Sequence, residues 1–287
     1  MIYRRRASPL HSARASVACG YCLALTLAAL IVTNPIVLGA VALIVLGAGA
    51  AAGVGRDLRR AALLMAPVAL VITLVNALLT RDGLTVIVRL GDLPILGHTD
   101  VTLEATVYGA ILGLRALVLV MCGALYTLAV DPDEMLRLFR RVSFRSALSA
   151  TLATRMVPII IRDGHRLADA QRCRPGRPPS RATLLRVACT GVLDRALDVA
   201  AALEVRGYGA ARRPPARRLP WSRHDVAFAA AALLVLAGAI GARAAGSAGF
   251  AAYPSLHMAP VGGALAVSAG LAVLALAPFA DRRGVRR

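Results

Sequence analysis

Residues 35–55 read PIVLGAVALIVLGAGAAAGVG and contain no charge. A hydrocarbon core of roughly 30 Å takes about 20 apolar residues in helical form, so this run predicts a membrane-spanning helix. The same reading extends in both directions. Residues 16–33, 61–79 and 258–280 are also uncharged, 226–242 is a 17-residue run near the lower limit for a span, and 105–130 carries a single charge, Arg115. Six spans put both termini on one side. Composition agrees: across 287 residues the chain is 58% hydrophobic, 17% charged and only 4% aromatic, whereas a soluble domain is nearer half apolar and about a quarter charged. Disordered, fibrous and disulfide-scaffold classes are excluded. The expected fold is an all-α membrane protein with about six transmembrane helices, plus three amphipathic helices outside the lipid.

The charge distribution orients the chain. All 34 basic residues are Arg. Thirty of them fall in four stretches that share one face: the segment before span one, residues 56–60, the long stretch 131–224 with 19, and the tail after 280. The opposite connections are poor in positive charge; residues 80–104 hold Arg81 and Arg89 against four acidic residues, and 243–257 holds only Arg243. By the positive-inside rule the Arg-rich face is cytoplasmic. The expected organisation is a basic cytoplasmic N-terminus (1–15), transmembrane helices one to four (16–130), a cytoplasmic helical region (131–224), transmembrane helices five and six (225–280) and a basic cytoplasmic tail (281–287). The basic start and apolar run do not read as a signal peptide, because the run has full span length and no small-residue cleavage pattern closes it. A net charge of +19 is therefore mostly topological, with some attraction to anionic headgroups. No aromatic-interleaved patch accompanies it, so nucleic acid is not an expected partner.

Residues 131–224 hold the informative chemistry, with 19 Arg against eight acidic residues. Asp131 and Pro132 start a helix as cap and first-turn residue, and Asp133 and Glu134 suit the positive end of its dipole. Met135, Leu138, Phe139 and Val142 then make one apolar stripe. A second helix covers 146–174, in which Pro158 predicts a kink or local break. The run Arg174-Pro175-Gly176-Arg177-Pro178-Pro179 stops it. A third helix runs from about Arg181 to Arg206, ended by Gly207 and Gly209. Both long helices are too amphipathic to cross lipid and too apolar to float free.

The two long helices close alike. Asp169-Ala170-Gln171-Arg172-Cys173-Arg174-Pro175 and Ala202-Leu203-Glu204-Val205-Arg206-Gly207-Tyr208-Gly209 each end on a small or aliphatic residue, an Arg and a breaker. One such Arg is explained by the helix dipole and orphan carbonyls, for roughly 0.3–1 kcal/mol. Two, on consecutive helices, also make a preorganised pair of guanidinium forks for acidic grooves on a partner. This pattern resembles the transmembrane T component of energy-coupling-factor (ECF) transporters, the EcfT/CbiQ family, whose two cytoplasmic coupling helices each end in an X-Arg-X motif, commonly Ala-Arg-Gly. Val205, Arg206 and Gly207 resemble the second motif, preceded by Glu204. Cys173, Arg174 and Pro175, preceded by Gln171, resemble the first, with Pro in place of Gly. Asn34-Pro35, Asp131 to Leu136, Val157-Pro158 and Arg162-Asp163 follow in the family's order. The resemblance implies a non-catalytic subunit of a bacterial cell-membrane importer. Two ABC-type ATPase subunits would take Arg174 and Arg206 in grooves near their Q-loops, and a small substrate-binding membrane subunit would release a vitamin or a cobalt or nickel ion. It implies no cofactor on this chain, ATP being bound by the partners.

Other signals are weaker. Cys19 and Cys22 form a C-x-x-C inside a span with no second pair, which reads as packing. The five His share no ligand spacing, so no metal is expected. Arg115 reads equally as a hydrogen-bonded bundle contact, to Asn76 or exposed carbonyls, or as a functional intramembrane charge. Pro67 and the glycines of span two (Gly47, Gly49, Gly53, Gly55) suit close helix approach. Pro254-Ser255-Leu256-His257 is superficially like a membrane lipid phosphatase motif, but no Lys and no later His exist to complete an acid–nucleophile pair. A stand-alone permease is the other alternative; no inverted repeat is visible and intramembrane ionisable residues are nearly absent.

Overall fold

The structure is a computed structural model that describes residues 6–79, 85–93, 97–139, 144–173, 181–207, 220–247, 249–251, 257–258 and 260–281. The chain divides into two compact units, Met1–Met135 with Trp221–Arg287, and Leu136–Pro220. The first unit contains α1 (Pro9–Ser12), α2 (Ala15–Ile31), α3 (Pro35–Ala51), α4 (Gly55–Leu79), β1 (Val86–Leu93), β2 (Gly97–Thr102) and α5 (Leu103–Ala129). Helix α6 (Pro132–Phe139) leads out of it and α7 (Phe144–Arg172) and α8 (Arg181–Val205) form the second unit. The chain returns through α9 (Arg223–Ala244), a two-residue pairing of β3 (Phe250–Ala251) with β4 (His257–Met258), and α10 (Val261–Leu276), which tightens into a 3-10 turn at Ala277–Phe279.

The protein is an all-α, multi-pass membrane protein. Helices α4, α5, α9 and the run Val261–Phe279 are long and apolar enough to cross a bilayer, and α2 and α3 are shorter apolar helices of 17 residues. The short 226–242 run is the centre of a 22-residue helix, because Ser222 and Asp225 close a capping box three residues ahead of it. Arg56, Arg59 and Arg60 stand in the first turns of α4 rather than in a loop. The connection 80–104, read from sequence as a loop, includes an antiparallel hairpin with Val86 opposite Thr102 and Leu93 opposite Gly97.

Each turn in the bundle follows from local chemistry. Asn34 is fully buried and its side chain accepts from the Ile36 N–H at 3.0 Å, with Pro35 in the first turn of α3. Thr102 caps α5 through the Ala105 N–H at 3.3 Å. Arg115 donates from Nη2 to the Val32 carbonyl at 3.0 Å. That carbonyl closes α2, so the intramembrane charge fills an orphan acceptor at a helix end. Asn76 plays no part in this; its amide donates to Ile72 O within its own helix.

Packing relies on small residues and one aromatic cluster. Tyr21, Phe228 and Phe279 meet edge-to-face, with centroids 5.3, 6.2 and 5.1 Å apart. They join α2, α9 and the end of α10, each pair adding about 0.5–1.5 kcal/mol beyond its buried area. The Tyr21 hydroxyl donates to Ala275 O at 2.9 Å, so the phenol is satisfied inside the core. Leu10 of α1 is fully buried, so the short helix Pro9–Ser12 ahead of the first span is part of the fold. Beside it, His11 lies between the Ser8 hydroxyl at 2.6 Å and the Leu128 carbonyl at 3.3 Å. Burial lowers its pKa, with Arg6 adding to the fall and the Leu128 carbonyl opposing it.

Among the span-two glycines, Gly49 faces the Leu58 side chain, Gly47 faces Leu276, and Gly53 turns the chain at φ +78°. The closest backbone approach lies elsewhere. A Cβ on Gly113 would sit 2.6 Å from Ala69 O, and one on Gly109 would sit 2.8 Å from Thr73 O, so α5 is pressed against α4 along a Gly-x-x-x-Gly face. The opposite side of α4 is bare aliphatic surface, including Leu63, Leu64, Leu70 and Leu74, which suits lipid.

Gly113→Val should therefore lower stability by about 1–3 kcal/mol through overpacking. Gly123→Ala, where nothing lies within 4 Å, should leave it unchanged. Thermal unfolding of the two variants in detergent checks the contrast; equal melting temperatures would show that α4 and α5 are not in close contact.

Candidate coupling site on the two long helices

The second unit is built from two helices. At ~1.5 Å per residue, α7 with 29 residues and α8 with 25 are each roughly 40 Å long. Helix α7 runs on through Pro158 without a break, so of the kink or local break expected there the break does not occur. Arg162 Nε donates to Pro158 O at 3.3 Å within the same stretch.

Among the described residues, an ion pair joins the helices. Arg195 Nη1 lies 2.5 Å from Asp163 Oδ2. The hydrogen-bonded Arg195 guanidinium is the main cause that holds the Asp163 carboxyl below its ordinary pKa, and Arg166 and Arg162 add to it. Next to this pair is an apolar groove of about 340 Å³, lined by Leu152, Met156 and Ile160 of α7 and by Val192, Val199 and Leu203 of α8. Leu152 precedes Asp163 while Leu203 follows Arg195, so the helices pass each other in opposite directions. Their C-terminal ends consequently point away from the crossing. Arg206 lies 11 residues beyond Arg195, and Arg174 lies 11 beyond Asp163, which makes the ion pair the sequence midpoint of the two arms. Aliphatic side chains remain exposed on both helices, among them Val157, Ile161, Leu193 and Leu197.

The end of α8 is well formed. The Arg206 N–H donates to Ala202 O at 3.3 Å and the Gly207 N–H to Glu204 O at 2.9 Å. Gly207 then turns at φ +73°, a left-handed stop that glycine adopts without steric penalty. The turn leaves Glu204 and Arg206 exposed, and Val205 is 89% exposed. At the end of α7, Cys173 is exposed, its N–H donating to Asp169 O at 3.2 Å, and Gln171 is half-buried. Arg174 and Pro175 lie outside the described residues. The structure thus gathers Glu204, Val205, Arg206 and Gly207 at one helix end, and Gln171 and Cys173 at the other.

The sequence reading names Asp163 only within Arg162-Asp163 and does not single out Arg195; their pairing is what it missed. Their offsets from Arg174 and Arg206 are equal, a signal that becomes readable only once the crossing is known. Among the described residues no three His, Cys, Asp or Glu side chains are placed to hold a metal ion.

A bundle of apolar helices together with a unit of two long helices defines a polytopic membrane protein. The family model CbiQ, described as cobalt transport protein, matches residues 6–216, a stretch that includes both long helices. The chain belongs to this EcfT/CbiQ family and is a membrane transport protein. It is similar to the energy-coupling factor transporter transmembrane protein EcfT of Thermosediminibacter oceani, with 28% identity over 168 residues, 52% of this chain and 63% of that relative. The aligned region therefore spans less than two thirds of the relative's length.

The ion pair has a defined pH signature. Because the folded-state pKa of Asp163 is depressed, its contribution is complete above the ordinary carboxylate value of about 3.9. It is lost as pH falls through the lower folded-state value. Asp163→Asn should loosen α7 against α8 at neutral pH as acid does to the wild type, and the exchanged pair Asp163→Arg with Arg195→Asp should restore the contact. Amide hydrogen exchange across both helices reads all three; full protection in Asp163→Asn would show that the pair does not hold the crossing.

Proposed function

We propose that this chain is the transmembrane coupling subunit of an ECF-type ABC importer. The observation that carries the reading is the α7–α8 pair joined at Asp163–Arg195, with Arg206 exposed at a glycine-stopped helix end. Family membership over residues 6–216 supports it, as does the similarity to a protein named as an energy-coupling factor transporter component.

In this mechanism the Arg-rich unit faces the cytoplasm, together with both termini. Two ABC-type ATPase subunits dock beneath it. Each takes one arm, Arg206 on one and Arg174 on the other, with Gln171, Cys173, Pro175, Glu204, Val205 and Gly207 shaping the two ends. A guanidinium offers five donors in a rigid fork and remains charged at all physiological pH values, so it holds a carboxylate or carbonyl groove with defined geometry. Closing of the ATPase pair on ATP displaces the two ends relative to each other. Because the arms cross at Asp163–Arg195, that displacement changes the angle between α7 and α8 and reshapes the groove and exposed aliphatic surface between them. The substrate-binding membrane subunit rests on this surface and releases its vitamin, cobalt or nickel cargo when the surface changes. Catalysis and cargo selection belong to the partner subunits.

Arg174→Glu combined with Arg206→Glu should abolish co-purification of the ATPases and uptake, while the chain still inserts in the membrane at wild-type level. Recovery of the ATPases at wild-type yield with the double variant would refute the role of these two residues.

A further inference from the structure

Helix α2 begins without a cap of its own. Its N-cap residue is Arg14, whose side chain makes no capping hydrogen bond, so its first amides need acceptors from elsewhere. Two carboxylates supply them. Asp225 Oδ1 accepts from the Arg14 N–H at 2.7 Å, and Glu134 Oε2 accepts from the Ala15 N–H at 3.2 Å. Arg14 strengthens the first contact with its Nε 3.2 Å from Asp225 Oδ2, and its guanidinium lies 5.7 Å from the centre of the Trp221 ring. Asp225 is 1% exposed and also accepts from the Ser222 N–H at 2.8 Å, which fixes it at the start of α9.

The positions of these carboxylates in the chain give the contact its meaning. Glu134 stands two residues before Leu136, where the 136–220 unit begins, and Trp221 is the first residue after that unit. Two neighbouring amides on one helix end therefore hold both tethers of the unit. Helix α2 is in turn locked into the bundle, with Leu25 and Ala28 buried and Tyr21 bonded to α10. A tether held only by its peptide bond would let the unit swivel. Two chain connections fixed to one helix start give it a path for displacement that peptide bonds alone would not.

We propose that the start of α2 is the fulcrum of the coupling unit, with Glu134 and Asp225 as positioning residues that deliver its displacement to the transmembrane bundle. This rests on the coupling function proposed above. Failure of the fulcrum alone would let ATP hydrolysis continue while transport slips.

The test is uptake and ATP hydrolysis measured together in proteoliposomes containing the full complex. Glu134→Ala with Asp225→Ala should leave ATPase co-purification intact and hydrolysis within about twofold of wild type, while cargo taken up per ATP falls about tenfold or more. Glu134→Gln with Asp225→Asn keeps both carbonyl acceptors and should recover most of that ratio, an outcome that a general loss of stability would not produce. An unchanged ratio in the alanine variant overturns the proposal. If the double alanine variant does not fold, Glu134→Ala alone takes its place, and an unchanged ratio there overturns the proposal too. A wild-type chain that takes up no ATPases would refute the coupling function itself. The fulcrum is then read on this chain alone in nanodiscs, from spin labels placed by Asp133→Cys and Arg223→Cys in a background where the exposed Cys173 and Cys189 are changed to Ser. Their distance distribution should be narrow in the wild type and broad in the alanine variant; equal widths would overturn the fulcrum.

Discussion

A guanidinium moved into hydrocarbon without a partner costs roughly 2.5–3.5 kcal/mol at a helix centre on insertion scales, and that cost orders the whole chain. With 34 Arg and no Lys, the protein can place its positive charge only outside the bilayer or against a waiting acceptor. Arg115 takes the second course and finds the Val32 carbonyl at the end of α2. Most of the others lie in residues 1–14, 56–60, 131–224 and after 280, outside the apolar runs. The same segregation leaves a long stretch, 131–224, with 19 Arg against eight acidic residues, and α7 and α8 lie within it.

The two units are held together by different physics. In the first, small residues allow backbones to approach closely, as at Gly109 and Gly113, and a single aromatic cluster fastens three helices. Such packing is rigid because interiors at native density do not deform continuously. In the second, one exposed ion pair and a shallow apolar groove join two long rods. Exposed ion pairs contribute little to stability, about 0–1 kcal/mol. A crossing held this weakly can change its angle at little cost, which suits a part that moves. Within the bundle, the carboxylates of Glu134 and Asp225 cap the start of α2.

Much of this was legible in the sequence because it depends on local pattern. Uncharged runs of span length became apolar helices. Asp131 accepts from the Asp133 N–H at 2.9 Å as a helix start should, and Gly207 stops α8 as a left-handed residue. The helix expected at 146–174 lies at 144–172. What was not legible depends on distant residues. Glu134 reads from sequence as a dipole-favoured acid in the first turn of α6, yet it caps a helix that begins 119 residues earlier. Pro158 reads as a break, but one missing hydrogen bond in a 29-residue helix does not interrupt it. The Gly-x-x-x-Gly spacing at Gly109 and Gly113 was visible but unremarked, because glycines cluster more densely in span two. The hairpin at 86–102 carries no two-residue turn signal, and its connection was read only as charge-poor.

The central claim is that the Arg-rich helical unit projects into the cytoplasm, where ATP-driven partners can move it. Two native thiols test this directly, since Cys173 and Cys189 are exposed on α7 and α8 while Cys22 and Cys122 are buried in the bundle. A membrane-impermeant maleimide applied to sealed vesicles of opposite orientation, with labelled cysteines identified by mass, should modify Cys173 and Cys189 in inside-out vesicles and spare them in right-side-out ones. Modification of either thiol from the outer face would contradict the topology and, with it, the coupling function.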